Sequence, residues 1–372
     1  MVIDRESYDD YWKNVSVLNR APTLTVPMFH VSGWFDIFSQ GTLDFFTALQ
    51  NEGQAEARGN QKMIIGPWIH SSQTVTRQGE LTYPDNSVLQ TDQLLEVINW
   101  FDYWLKGTDN GILDSPPMRY YLMGACEEEN APGNEWREVS NWPMPAVPST
   151  LYLSSGGVLT GSAPDINQSS DTYLYDPNDP VPTVGGPNME IPGGPFDQRA
   201  LVESRPDVLV YTSEVLSEPL EITGKVTARL FASSAARDTD WVVRLCDVYP
   251  DGRSMLVTDG LRRAKFRNSF EQPELLQPGE IYEFEVDLWS TAIVFNAGHR
   301  IRISITSSND PRFDPNPNTG DPLRKNTTTI IPANTIFHEG NRPSRIILPV
   351  ISPENHPLFR SPTQSKLHLR VY

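Results

Sequence analysis

From about residue 118 onward, the sequence consists of short runs in which apolar and polar residues alternate, and no feature constrains the fold more. Clusters rich in proline, glycine, asparagine and aspartate separate the runs, for example DPNDPVPTVGGPN and DPNPNTGDP. Short strands joined by such turns are typical of an antiparallel β-sandwich or jelly roll. The predicted strands are 119–123, 149–153, 207–212, 220–231, 241–248, 281–288, 300–306, 344–349 and 367–371.

Residues 1 to about 125 follow a different pattern, in which short apolar runs alternate with helical periodicity. Residues 91–106 have a broad apolar face, and Gly107 is suited to end that helix. We expect Gly66 and Pro67 to end the second strand. This order of elements is typical of a parallel α/β sheet. The predicted elements are strands at 26–32 and 61–65, a helix from Phe38 to Leu49 and a helix at 91–106.

Length and composition limit the class of protein. A chain of 372 residues fits two domains of ordinary size. A net charge of −17 argues against a nucleic-acid partner, because no basic surface exists to replace the counterions of phosphate. The first 20 residues are polar, and no run is long and apolar enough to span a membrane. We therefore expect a soluble protein without nucleic-acid or membrane partners, whose localisation the sequence leaves open.

A carboxylate and a histidine each follow a predicted strand of the α/β part. Asp36 comes after the first strand, and His70 comes after the second. Reactive side chains lie at the carboxyl ends of parallel strands, so neighbouring strands would bring these two together. A buried carboxylate that accepts a hydrogen bond from Nδ1–H fixes the tautomer of a histidine and stabilises its imidazolium form. The pair therefore resembles the acid and base of a Ser–Asp–His triad, although each residue alone has a structural alternative, an N-cap for Asp36 and a loop residue for His70.

The nucleophile of such a triad is missing from the sequence. In α/β-hydrolases the serine precedes the acid and lies in a GxSxG turn between a strand and a helix. No GxSxG occurs in the chain, and only 35 residues precede Asp36. We therefore expect the serine to lie outside this chain.

Several long segments carry a family resemblance. VPMFHVSGWFDIFSQGTLDFFTAL and KMIIGPWIHS resemble the acid and histidine motifs of the cocaine esterase / X-Pro dipeptidyl-peptidase / glutaryl acylase family of serine hydrolases. The resemblance continues through FDYWLKGTDNGI, DPNDPVPTVGG and FNAGHRIRISITSS and covers nearly the whole chain. It implies three regions: the tail of a helical lid at 1–20, the C-terminal part of an α/β-hydrolase domain at 21–145, and a galactose-binding-like jelly roll at 146–372.

The resemblance also implies roles for residues and partners. Asp36 would be the triad acid and His70 the triad base, and no metal or organic cofactor would be needed. The nucleophilic serine, and the tyrosine that assists the oxyanion hole, would belong to an upstream half of the hydrolase domain. The substrate would be a small acyl ester, an amide or a short peptide, and this chain alone would be inactive.

The surroundings of Asp36 bear on the substrate. Ile37, Phe38 and Ser39 are uncharged, whereas the related α-amino acid ester hydrolases carry acidic residues just after the triad aspartate. A neutral or anionic acyl group is therefore expected rather than an ammonium-bearing one.

Three aromatic residues near the predicted pair are candidates for the wall of an acyl pocket, because aromatic walls exclude water from an acyl-transfer site. They are Trp34, Phe35 and Trp68, and ordinary core positions are the alternative for all three.

A different class of function also fits the sequence. The chain would then be a non-catalytic jelly-roll protein that binds carbohydrate or assembles with a partner protein. Its β-rich part would be the same, and its α/β part would be only a remnant of a hydrolase.

Overall fold

The structure is a computed structural model, and it describes residues 5–165, 170–322, 324–325 and 328–351. The predicted strand at 367–371 lies outside the described residues. The α-helices are α1 (Asp10–Val15), α2 (Ser39–Glu52) and α3 (Thr91–Lys106). The strands are β1 (Phe29–Phe35), β2 (Lys62–Ile69), β3 (Arg77–Gln78), β4 (Leu81–Thr82), β5 (Met118–Leu122), β6 (Glu135–Val139), β7 (Val147–Ser154), β8 (Val158–Thr160), β9 (Asp171–Leu174), β10 (Leu209–Thr212), β11 (Leu220–Ser234), β12 (Asp240–Val248), β13 (Ser254–Arg263), β14 (Tyr282–Phe295), β15 (Arg300–Thr306), β16 (Ala333–Glu339), β17 (Arg342–Pro343) and β18 (Arg345–Val350).

A small sheet contains four strands in the order β1, β2, β5 and β6. β1, β2 and β5 are parallel, and β6 runs antiparallel to β5. Parallel neighbours need a crossover connection, which α2 provides between β1 and β2 and α3 between β2 and β5. The alternating pattern of the first 125 residues predicted the parallel strands β1 and β2 and the helix that connects them. The strand predicted at 119–123 corresponds to β5, which lies in this small sheet and not in the antiparallel part that its alternation indicated. Among the described residues, no helix combines the length and apolar composition that a bilayer crossing requires.

The predicted end of the second strand is wrong. β2 continues through Gly66 and Pro67 to Ile69, and Gly66 pairs with Gly33 of β1. Both glycines are needed for close packing around Trp68. A Cβ atom on Gly33 would lie 2.1 Å from the Trp68 carbonyl oxygen, and one on Gly66 would lie 2.3 Å from the Trp68 indole. The two glycines therefore allow strand pairing and burial of a large side chain at the same place.

A large sheet contains the strands from β7 to β18, and nearly all of its pairings are antiparallel. The sheet curves back on itself. The rings of Trp241 on β12 and Phe284 on β14 lie 5.5 Å apart, although these strands are distant in the sheet order. The predicted strand at 300–306 matches β15 in full. Short strands such as β8, β9 and β17 were not predicted, since two to four residues show no clear alternation.

The two sheets share one continuous hydrophobic core. Backbone hydrogen bonds also join them, from Met123 N to Ala292 O at 3.0 Å and from Val294 N to Met123 O at 2.9 Å. Met123 directly follows β5, and both partners lie in β14. The end of a small-sheet strand is thus built into an edge of the large sheet.

A buried histidine strengthens this junction. His299 Nδ1 lies 2.8 Å from Asp247 Oδ1 in the large sheet, and its Nε2 lies 2.8 Å from Glu128 Oε1 in the loop after β5. The His299 side chain is fully buried. Burial alone lowers the pKa of His299, but hydrogen bonds and charges from Asp247 and Glu128 outweigh it and raise the pKa above its ordinary value. The imidazolium form can donate to both carboxylates at once.

We predict that His299→Gln lowers the free energy of unfolding by about 3 kcal/mol, because it leaves two carboxylates without their shared cation. The folded-state pKa of His299 is raised, so its stabilisation is fully present below the unfolded value of about 6.5 and is lost as pH rises through the folded value. Urea unfolding at about pH 6 and about pH 9 measures this. The difference between wild type and variant should shrink at the higher pH, and a difference independent of pH would contradict the assignment.

Candidate active site

Asp36 and His70 lie side by side at the carboxyl edge of the small sheet. Phe35, the last residue of β1, pairs with Ile69, the last residue of β2. The residues that follow therefore leave the sheet at the same point, and His70 Nδ1 lies 3.2 Å from Asp36 Oδ2 and 3.3 Å from Oδ1. The Asp36 side chain is only 8% exposed, whereas that of His70 is 38% exposed. The carboxylate is buried against the protein and the imidazole is open to solvent.

The second ring nitrogen of His70 is available for chemistry. Among the described residues, none makes a hydrogen bond to His70 Nε2, and no described serine hydroxyl lies within bonding distance of it. With Nδ1–H donated to Asp36, Nε2 of the neutral ring carries a lone pair and can accept a proton. The arrangement is therefore that of a general base held by a carboxylate.

The turn into α2 orients the Asp36 carboxylate. The backbone N–H of Phe38 donates to Asp36 Oδ1 at 2.9 Å, and Ser39 N donates to the Asp36 carbonyl oxygen at 3.0 Å. The N-cap residue of α2 is Phe38, without a side-chain cap. The N-cap alternative for Asp36 thus does not describe its position, although its carboxylate does bond a backbone N–H of the same turn.

Sequence reasoning did not identify two residues that hold His70. The Phe38 ring meets the His70 imidazole edge-on, with centroids 5.5 Å apart. Gln78 is buried and its Oε1 accepts a hydrogen bond from Ile69 N at 3.0 Å. No sequence pattern pointed to Gln78, because its partners are set by the fold of the loop rather than by periodicity.

The three pocket candidates lie in the interior. Trp34, Phe35 and Trp68 are all buried, and the first two belong to the main hydrophobic core. The indole N–H of Trp34 donates to Tyr121 O and that of Trp68 to Ser87 O, each at 2.7 Å. Their surroundings are those of core residues, and a role as pocket walls stays a prediction.

Part of the small-sheet region presents apolar surface outward. β1 is the terminal strand of the small sheet, and its outer edge pairs with no strand in the part of the chain that the structure describes. On α3 the residues that turn inward are Gln93 and Trp100. Its apolar face points to solvent, which is the reverse of an ordinary surface helix. The exposed residues of this face are Leu94, Leu95, Ile98, Phe101 and Leu105.

No group of three or more histidine, cysteine, aspartate or glutamate side chains within the described ranges is arranged to hold a metal ion. Cys126 and Cys246 are buried and unpaired, and burial raises the pKa of the Cys126 thiol to about 12.

Comparison with known proteins identifies the family. Residues 110–347 match the X-Pro dipeptidyl-peptidase C-terminal non-catalytic domain, and residues 1–72 match the X-Pro dipeptidyl-peptidase (S15) family. The chain belongs to the X-Pro dipeptidyl-peptidase family. The resemblance in the sequence motifs is thereby confirmed, and the family's serine hydrolases are its relatives.

Individual known proteins match along most of the chain. The cocaine esterase of Rhodococcus sp. (strain MB1 Bresler) is 36% identical over 94% of this chain and 61% of its own length. A solved aminopeptidase from a marine sediment archaeon (Thaumarchaeota archaeon) superimposes with a TM-score of 0.81 and 29% identity over 93% of this chain and 58% of its own. A solved α-amino acid ester hydrolase has the same TM-score with 28% identity over 94% and 60%. The chain therefore spans about three fifths of these relatives.

We predict that Asp36→Asn changes the protonation pattern of His70 in this chain. The amide can donate to Nδ1 as well as accept from it, so the tautomer with a proton on Nδ1 loses its preference. NMR of nitrogen-labelled histidine should show a defined Nδ1–H signal for His70 in the wild type and a mixture of tautomers in the variant. Glu52→Gln, on the exposed end of α2, is the matched control and should leave the signal unchanged. Identical His70 spectra in both variants would contradict the assignment.

Proposed function

We propose that this chain is the C-terminal portion of a serine hydrolase that cleaves small acyl esters or amides, completed by an upstream part that supplies the serine. The observation that carries the proposal is the Asp36–His70 pair, held 3.2 Å apart at the ends of two adjacent parallel strands. Membership of the X-Pro dipeptidyl-peptidase family supports it. The fact that the chain spans only about three fifths of relatives such as the cocaine esterase supports it as well.

The proposed reaction is acyl transfer through a covalent intermediate. The upstream serine Oγ attacks the acyl carbonyl carbon while His70 Nε2 takes its proton, and Asp36 stabilises the resulting imidazolium through Nδ1–H. Collapse of the tetrahedral intermediate breaks the bond to the leaving alcohol or amine, which receives the proton from Nε2. Water, activated by His70, then hydrolyses the acyl-enzyme in the same two steps. The chemistry needs no metal or organic cofactor.

Substrate class follows from the relatives and from the loop after Asp36. The names of the relatives include an esterase, an aminopeptidase and an α-amino acid ester hydrolase, so ester and amide substrates both fit the proposal. The positions directly after Asp36 carry no charge that would bind a substrate ammonium group. We therefore favour a neutral or anionic acyl group.

The proposed domain boundaries follow the sequence-based expectation. Residues 1–20 would be the tail of a lid region, 21–145 the end of an α/β-hydrolase domain, and 146–372 a galactose-binding-like jelly roll. The parallel order β1, β2 and β5 supports the second assignment. The contact of Trp241 with Phe284, across a sheet that curves on itself, supports the third.

The upstream part would dock on the outer edge of β1 and on the exposed face of α3. An added parallel strand would satisfy the open edge of β1, and apolar side chains would cover the α3 face. The length that the relatives have beyond this chain provides the material for such a segment. Fully burying one large aliphatic side chain contributes about 2 kcal/mol, so this face offers a substantial driving force.

We predict that His70→Ala and Asp36→Ala each lower kcat of the completed enzyme by about 10⁴-fold with little change in KM, because both act on the reacting atoms rather than on binding. The completed enzyme is this chain joined to the upstream part that the proposal requires. Release of nitrophenol from a short-chain nitrophenyl ester measures turnover, and Glu52→Ala is the control. Variants with the wild-type rate would exclude the proposed roles.

We predict that Ile98→Asp prevents assembly with a separately expressed upstream part, because a charge would have to be buried at the docking face. Asn99→Asp, an equally exposed position on the same helix, should leave assembly intact. Co-purification of the two parts measures this. Equal recovery with both variants would place the docking surface elsewhere.

A non-catalytic binding or assembly protein remains the alternative function. The match of residues 110–347 to a domain described as non-catalytic favours it for the larger part of the chain. DNA sequence before the Met1 codon separates the two functions. An in-frame GxSxG turn supports the hydrolase, whereas a stop codon without such a turn supports the alternative.

A further inference from the structure

The carboxamide of Gln78 lies inside the loop that carries His70. Its Oε1 accepts from Ile69 N at 3.0 Å and lies 2.6 Å from Ser72 Oγ. Its Nε2 donates to the carbonyl oxygens of Ser72 at 3.1 Å and Val75 at 2.8 Å. A carboxamide has two acceptor and two donor positions, so every one of them is used. Gln78 is 1% exposed and binds residues on both sides of His70.

The backbone at His70 needs such support. Ser71 has a φ of +62°, a left-handed conformation that is unfavourable for a residue with a side chain. The Gln78 contacts to Ile69 and Ser72 flank this strained residue. The loop keeps an unfavourable conformation next to His70 because the buried carboxamide fixes it from both ends.

The hairpin that carries Gln78 is held in turn by a segment that precedes β10. In this hairpin of β3 and β4, Glu80 N donates to Pro195 O at 2.9 Å, and Glu80 Oε2 accepts from Asp197 N at 2.9 Å. Gly79, with a φ of +57°, allows the close approach, since a Cβ atom there would lie 2.4 Å from Pro195 O. Residues 79–80 of the hairpin therefore lie directly against residues 195–197 of the segment.

That segment is fixed to the start of β13 in the large sheet. Leu256 N donates to Phe196 O at 3.1 Å, and Ser254 N donates to Asp197 Oδ1 at 3.0 Å. Gln198 N donates to Ser254 O at 2.9 Å. Hydrogen bonds therefore lead from β13 to Asp197 and from Asp197 to Glu80. The chain itself connects Glu80 through Gly79 to Gln78, whose carboxamide bonds the backbone beside His70.

We propose that Gln78 and Glu80 are positioning residues through which the large-sheet part of the chain orients His70 toward Asp36. The catalytic meaning of this inference rests on the proposed hydrolase function. The physical reason is that a general base must be held within a fraction of an ångström, and a misplacement of about 1 Å costs about 10²-fold in rate. A part of the chain matched to a non-catalytic domain would thus set the geometry of the catalytic histidine.

The first experiment uses this chain and needs no activity. Gln78→Ala should broaden or abolish the Nδ1–H signal of His70 in NMR spectra, and Glu80→Ala should weaken it. Glu80→Gln keeps an acceptor for Asp197 N and should restore the wild-type spectrum. Thr74→Ala, an exposed position in the same loop, is the control. Unchanged His70 signals in both Gln78→Ala and Glu80→Ala would overturn the proposal.

Two further measurements keep the result unambiguous. Thermal unfolding establishes whether each variant folds. If Gln78→Ala fails to fold, the test depends on Glu80→Ala alone, because the Glu80 side chain is exposed and its removal should leave the fold intact. In the completed enzyme, Gln78→Ala should lower kcat by about 10²-fold with KM nearly unchanged. A completed wild-type enzyme without turnover would refute the hydrolase function and leave the NMR result standing. An active enzyme whose kcat is unaffected by Gln78→Ala would refute the positioning role.

Discussion

The parallel pairing of β1 with β2 is the constraint on which the rest of the structure depends. Its register ends with Phe35 beside Ile69, so the next residue of each strand leaves the sheet at one point and the Asp36 and His70 side chains meet. A shift of one residue would turn every side chain of a strand to the opposite face. Gly33 and Gly66 protect the register, because only glycine fits beside the buried Trp68 there. Strand pairing, core packing and the candidate site are thus fixed by the same few contacts.

The large sheet is joined to this site by buried polar contacts as well as by hydrophobic packing. His299 lies between carboxylates from both parts of the chain, and a buried imidazole that contacts both holds its neighbours in a narrow range of positions. β13 bonds Asp197, Asp197 bonds Glu80, and Gln78 in the same hairpin as Glu80 bonds the loop of His70. Each contact has a strict geometry, so a displacement of the large sheet would be transmitted to the histidine. This gives the β-rich part a physical connection to the site.

Two features of the small-sheet region fit the proposed upstream part: the exposed apolar face of α3, and the outer edge of β1, which pairs with no strand among the described residues. An apolar helix face in water is unfavourable in proportion to its area, and an unpaired strand edge invites pairing with another segment. Leu105 is 77% exposed, although the amphipathic pattern of α3 would ordinarily turn such residues inward. The relatives are longer than this chain, and a segment from that additional length would satisfy both features. The exposed apolar surface of this chain and the greater length of its relatives therefore both fit the proposed upstream part.

Features that depend on neighbouring residues could be predicted from the amino-acid sequence. The period of the apolar residues and the left-handed Gly107 defined α3, and alternation defined β15. The order of strand, helix and strand placed Asp36 and His70 after two neighbouring parallel strands, since strand direction follows from the connecting helix. The structure alone reveals that β2 runs through Pro67, that the apolar face of α3 points outward, and that Gln78 supports the loop of His70. These features arise from contacts between segments far apart in the chain, whose geometry no local pattern encodes.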